Sequence, residues 1–257
     1  SMSKGEDFSN QYRFMTPAEA DAAFAPLAQR PVVFPDSTGS WLSTHRPDIV
    51  LVILESFTGH ILDMPEVMPR LKALSEEGIY FPHFYANSFR TDRGLVSILS
   101  GYPAQPTASI MKSPSKSQSL PAIARSLRKV GYDTEMIYGG DADFTNMRSY
   151  FYATGYGRVM SCDDFTTEEN SARWGVPDHI TFPRVEKEIA RQTARPFMKT
   201  FLTLSSHEPF DVPMSRLEHP YLNSVAYTDS CLGAFVDTLR QSPLWENLLI
   251  VFVADHT

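Results

Sequence analysis

The chain has 257 residues, 42% of them hydrophobic and 12% aromatic, enough to bury the core of one large α/β domain. Its 30 acidic and 23 basic side chains leave a formal charge of −7, which excludes the broad basic surface that nucleic acid requires. The two cysteines, Cys162 and Cys231, are too few for a disulfide framework and read as ordinary buried thiols, and no run reaches the roughly 18–20 apolar residues that cross a bilayer.

Ser1 and Met2 read as a cloning scar, so any membrane-anchoring segment is expected upstream, outside this chain. Residues 1–47 are polar and broken by Pro17, Pro26, Pro31, Pro35 and Pro47, which predicts a lead-in arm with one short helix over 18–28. From Asp48 onward, short apolar β-branched runs alternate with amphipathic stretches. That alternation predicts a catalytic-sized α/β domain over 48–257, with a mostly parallel sheet and helices on both faces.

Strands are expected at 49–54, 134–138, 198–204 and 248–254, where continuous apolar runs suit burial on both faces. Helices are expected at 67–77, 93–99, 120–130, 143–154, 179–192 and 222–241; in the last, Leu232, Phe235, Val236 and Leu239 recur at helical spacing. Gly78 and Gly131 each follow a helix, where a left-handed cap is wanted. The patch KSPSKSQS at 112–119 reads as a surface loop.

Two of the most hydrophobic strands end in acids. IVLVIL runs into Glu55, and LLIVFVA runs into Asp255 and His256. Ligands of open α/β sheets bind at the carboxyl ends of strands, and two hard oxygens with an imidazole suit a divalent cation. Each acid taken alone reads first as the cap of a following turn, and it is the set that points towards a metal. In NSFRTDRGLVSILSGYP at 87–103, Thr91 stands where a helix starts, beside Arg90 and Arg93. A hydroxyl there can face an incoming anion, or it can simply serve as an N-cap.

These segments occur in a telling order: Leu54-Glu55-Ser56, RTDRG at 90–94, LSGYPAQP at 99–106, SSHEPF at 205–210 and ADHT at 254–257. Together they resemble the lipoteichoic acid synthase and phosphoglycerol transferase group of the alkaline phosphatase and sulfatase superfamily, over about residues 48–257. The resemblance implies that Glu55, Thr91, Asp255 and His256 hold one catalytic cation, Mn²⁺ foremost, with Mg²⁺, Zn²⁺ or Ca²⁺ able to take its place. It also implies that Thr91 is the nucleophile and that His207 contacts the phosphoglycerol group, with Arg93, Arg148 and Trp174 as further substrate-binding candidates.

The activity so implied is transfer of phosphoglycerol from a phosphatidylglycerol-type lipid to an envelope glycan or polymer, on the outer side of the cytoplasmic membrane. The pattern departs from the family at 138–148: Tyr138 stands near an expected histidine, Thr145 near a tryptophan, and Arg148 one position from an arginine. Headgroup identity is therefore open. A sulfatase would need Cys or Ser with Pro two residues on and Arg four on, which Thr91-Asp92-Arg93-Gly94-Leu95 does not supply. The same residues leave room for a phosphoethanolamine transferase, a phosphodiesterase or a non-catalytic envelope sensor.

Thr257 directly follows two of the proposed ligands. This predicts a domain truncated at its C-terminus, with an unpaired sheet edge that a second copy of the chain could cover.

Overall fold

The computed structural model describes residues 13–28 and 42–256. The chain divides into two units, Ser1–Ser43 and Thr44–Thr257. In the first unit, helix α1 (Pro17–Ala28) opens on a proline, tolerated there because the first helical N–H has no partner within the helix. Thr16 and Glu19 exchange hydrogen bonds of 2.8 to 3.3 Å across its first turn. Pro31 and Pro35 of the expected arm lie outside the described residues.

The second unit is built on five parallel strands: β1 (Asp48–Leu54), β2 (Asp133–Tyr138), β3 (Arg158–Met160), β4 (Phe197–Leu202) and β5 (Leu248–Ala254), in the order β3-β2-β4-β1-β5. The helices are α2 (Pro69–Glu77), α3 (Thr91–Ser100), α4 (Pro114–Ser117), α5 (Ile123–Lys129), α6 (Met147–Thr154), α7 (Asp178–Ala190) and α8 (Pro220–Arg240). Alternate residues of β1 feed two cores. Val50, Val52 and Leu54 pack with Phe182 and Val185 of α7 and Phe235 of α8, while Leu51 and Ile53 pack with Leu95 and Leu99 of α3 and Phe151 of α6. Helices therefore cover both faces of the sheet, as the continuous apolar strands require.

Several expectations need correction. β3 has no counterpart among the expected strands, because three residues carry no readable period. β4 ends at Leu202 rather than at 204: the Thr203 N–H still makes the last ladder bond, to the Ile53 carbonyl of β1, but the Leu204 N–H turns to the Asp178 carboxylate. The 120–130 helix begins only at Ile123, beyond Pro121. The 143–154 segment is interrupted where Thr145 and Asn146 adopt left-handed φ of 51° and 69°, so α6 starts at Met147.

Gly131 has the expected positive φ of 88°, but Gly78 is extended, its N–H closing on the Leu74 carbonyl at 2.9 Å as the chain leaves α2. The patch at 112–119 holds α4 and buries Ser117. Cys162 and Cys231 are free and half-buried rather than buried. No helix among the described residues is long and apolar enough to cross a membrane.

Candidate active site

Glu55 is the first residue beyond β1, and Asp255 the first beyond β5; both are buried at the carboxyl edge of the sheet, 2% and 1% exposed. Parallel pairing of Leu54 with Ala254 puts the two acids side by side, a consequence of register that no local sequence signal carries. His256 follows, its Nε2 3.3 Å from Glu55 Oε1 and 3.6 Å from Asp255 Oδ2. The three offer ligand atoms within 4.8 Å of one another.

Thr91 completes the group. It is the first residue of α3, with Arg90 in extended conformation as the N-cap, so its hydroxyl is not the helix cap. Instead Oγ1 donates to Glu55 Oε2 at 3.0 Å and lies 3.4 Å from His256 Nε2. The four residues that the resemblance joins are thus gathered at one place. Gly94 permits this: a Cβ there would lie 2.2 Å from the Asp255 carbonyl oxygen, so only glycine lets α3 approach so closely.

The surrounding chain holds Glu55 from every side. Its N–H donates to Thr203 Oγ1 at 2.9 Å, its carbonyl accepts from Ser206 Oγ at 2.6 Å, and its Oε1 accepts from Ser56 Oγ at 2.8 Å. Ser56 has a left-handed φ of 56°, which turns its N–H onto Asp255 Oδ1 at 3.0 Å. The His256 N–H donates to the same oxygen at 2.8 Å.

The electrostatics are those of two acids sharing one buried place. Burial first, and then the Glu55 charge, push the Asp255 carboxyl up to about 8. Burial acts on Glu55 in the same sense, but the hydrogen bond and charge of His256 and the Ser56 hydroxyl outweigh it and hold Glu55 below its ordinary value. Burial, followed by the charges of Glu55 and Asp255, raises the Tyr138 phenol far above its ordinary range, so it stays protonated. Asp255 Oδ2 is buried without a hydrogen bond. An orphaned carboxylate oxygen facing a second acid, an imidazole and a hydroxyl is the donor set of a divalent cation.

The family of sulfatases matches residues 47–257. The chain belongs to the sulfatase family. Among curated relatives of this sulfatase-family chain, the lipoteichoic acid synthase-like YvgJ of Bacillus subtilis is 26% identical over 241 residues, covering 86% of the chain and 38% of the relative. The lipoteichoic acid synthase of Staphylococcus aureus is 27% identical over 241 residues, covering 82% and 36%. A solved structure of an alkaline phosphatase superfamily protein from Vibrio parahaemolyticus superposes with a TM-score of 0.75 at 28% identity, over 82% of the chain and 54% of that protein. The chain spans little more than a third of the curated relatives it matches.

The other expected site residues of this sulfatase-family chain fall into two groups. His207 and Trp174 meet: their ring centroids are 5.2 Å apart, and the indole N–H donates to the Glu208 carbonyl at 2.7 Å. Both line a shallow concavity with Arg173, Ser205 and Asp211, and the His207 charge contributes to lowering Glu55.

The two arginines have partners within the chain. Arg93 donates to the Pro106 carbonyl at 2.7 Å and lies over the Phe89 ring. Arg148 is spread over Asp143, Ser161 and Asp163 at 2.9 to 3.0 Å. Sequence reasoning gave no role to Ser56, Gly94 or Ser206, although all three stand in the segments that carry the resemblance, and it missed Thr203. Gly94 carried a further signal, as a glycine one turn inside an amphipathic helix.

Proposed function

We propose that the chain carries the catalytic centre of a metal-dependent phosphotransferase that moves phosphoglycerol from a phosphatidylglycerol-type lipid to an envelope glycan or polymer. The observation that supports this best is the Thr91 hydroxyl, directed at Glu55 and His256 from the start of a helix. Lipoteichoic acid synthases among the relatives favour a polymer acceptor outside the cytoplasmic membrane. Membrane attachment would then belong to sequence outside this chain.

Glu55, Asp255, His256 and the Thr91 oxygen would hold the cation, for which Mn²⁺ is the first choice. Such an ion supplies Lewis acidity, lowering the pKa of a hydroxyl and polarising phosphoryl oxygens. Thr91 Oγ1 attacks phosphorus as its proton leaves, Glu55 Oε2 at 3.0 Å being the acceptor it already faces. The bond from phosphorus to the lipid alcohol breaks, the proton taken up by Glu55 passes to the departing oxygen, and phosphoglycerol stays on Thr91 as a diester. A hydroxyl of the acceptor then attacks the same phosphorus, the bond from phosphorus to Thr91 Oγ1 breaks, and the acceptor's proton returns through Glu55 to the freed Thr91 hydroxyl. The N-terminal N–H groups of α3 stabilise the charge that builds on the phosphoryl oxygens. His207, whose ring lies beside that of Trp174, would contact the remainder of the group.

Incubation with phosphatidylglycerol and Mn²⁺, followed by mass analysis, should find phosphoglycerol on the peptide containing Thr91. Thr91→Ala should carry none. It should also lose less stability than the roughly 1 kcal/mol of a missing N-cap, because Arg90 occupies the cap. Turnover retained by Thr91→Ala would overturn the nucleophile, and a zinc-dependent adduct formed only with an ethanolamine lipid would favour the phosphoethanolamine reading.

A further inference from the structure

One buried carboxylate outside the cluster has no part in the chemistry above. Asp178 opens α7, is 0% exposed, and does not cap its own helix. Its oxygens accept from the Leu204 N–H at 2.9 Å, the Ser205 N–H at 3.2 Å and the Thr228 hydroxyl of α8 at 2.7 Å. Its own N–H donates to Ser205 Oγ at 2.9 Å. Three of these four bonds end on residues 204 and 205, the segment that leaves β4.

That segment is the bracket of the candidate site. Thr203 before it accepts the Glu55 N–H, Ser206 after it donates to the Glu55 carbonyl, and His207 comes next. A short turn fixed at its middle sets both of its ends. Without the fixed middle, residues 203–207 have no ladder partners beyond Thr203, because β4 has already ended. Burial of an acid is costly unless it is fully hydrogen-bonded, and here every bond serves to join α7, α8 and this turn.

We propose that Asp178 is a positioning residue: it clamps the turn at 204–205, and so sets the placement of Glu55 and of His207 together. The clamp links the side that would hold the cation to the side that would hold the substrate. Its consequence for metal affinity rests on the function proposed above; its consequence for His207 does not.

The test pairs Asp178→Asn with Asp229→Asn. Asp229, on α8, is a second buried acid, accepting the Arg70 and Leu71 N–H groups at 3.0 and 2.8 Å, so its bonds fix α2 rather than the turn at 204–205. Both variants should lower the melting temperature. Only Asp178→Asn should shift the imidazole proton resonances of His207 in the metal-free chain and weaken Mn²⁺ binding by calorimetry about tenfold or more, the scale on which supporting residues act.

Equal His207 shifts and equal Mn²⁺ affinity in Asp178→Asn and the parent would overturn the clamp, as would identical changes in the Asp229 variant. Failure of the parent chain to bind Mn²⁺ would count against the metal reading alone, and the His207 resonances would still decide the clamp. If Asp178→Asn does not fold, Ser205→Ala, which removes the acceptor of the Asp178 N–H, takes its place with the same readouts.

Discussion

At the scale of single residues, the site depends on what is small as much as on what is reactive. Gly94 lies one turn into α3, against the backbone of Asp255. An added methyl would sit 2.2 Å from the Asp255 oxygen and 2.9 Å from its carbonyl carbon, and backbone cannot rotate away as a side chain can. Gly94→Ala should therefore cost about 1–3 kcal/mol, the usual range for overpacking, and displace Asp255 from Glu55. Chemical denaturation checks the first effect. Mn²⁺ affinity checks the second, and it should fall even under conditions where the variant is fully folded. Ser56 shows the same dependence from the other side: its left-handed backbone is what brings an N–H to Asp255 Oδ1.

At the scale of elements, the strands are tied by buried charge as well as by apolar packing. Lys199 of β4 is 2% exposed and donates to Glu135 of β2 at 2.5 Å, while Arg158 of β3 reaches Glu135 at 3.1 Å and Glu188 of α7 at 3.2 Å. Burial alone would raise the Glu188 carboxyl, but Arg184 at 2.9 Å and Arg158 outweigh it and hold it below its ordinary 4.5. A depressed carboxyl stabilises the fold above its unfolded value and loses that contribution as pH falls through its folded value. Glu188→Gln should accordingly melt below the parent at pH 7, and the gap should close as pH drops beneath 4.5. Melting curves across that interval check it; a gap independent of pH would assign the effect to packing.

For the molecule as a whole, β5 is the part whose sequence and surroundings disagree. LLIVFVA is apolar throughout, yet it pairs with β1 alone among the described residues, and Val251 is 37% exposed. An apolar strand with one open edge offers unpaired N–H and C=O groups to any second strand. Aromatic side chains of the segment entering α3, Phe81, Phe84, Tyr85 and Phe89, are also exposed, at 60, 69, 77 and 64%. The proposal that a second copy covers the edge predicts that this chain self-associates as concentration rises, and that Val251→Lys reduces the association. Sedimentation of both at several concentrations is the measurement, and a parent that remains monomeric would remove the proposal.

The sequence by itself determined the class of the fold and the chemistry on offer. Continuous apolar runs alternating with amphipathic ones demand a parallel sheet covered on both faces, and acids following two such runs must emerge at its carboxyl edge. That is why Glu55, Asp255 and His256 could be read together as a candidate cation set, whereas Thr91 joined them only through the family resemblance of the motifs in order. Tertiary structure decided everything that depends on which strands are neighbours. Pairing of β1 with β5 sets two acids from opposite ends of the domain beside each other, Gly94 lets α3 approach them, and a buried Asp178 fixes the turn that carries His207. It also drew Arg148 into a separate acidic network and Arg93 to a backbone carbonyl, because a guanidinium's reach is set by its three-dimensional neighbours rather than by its place in a motif.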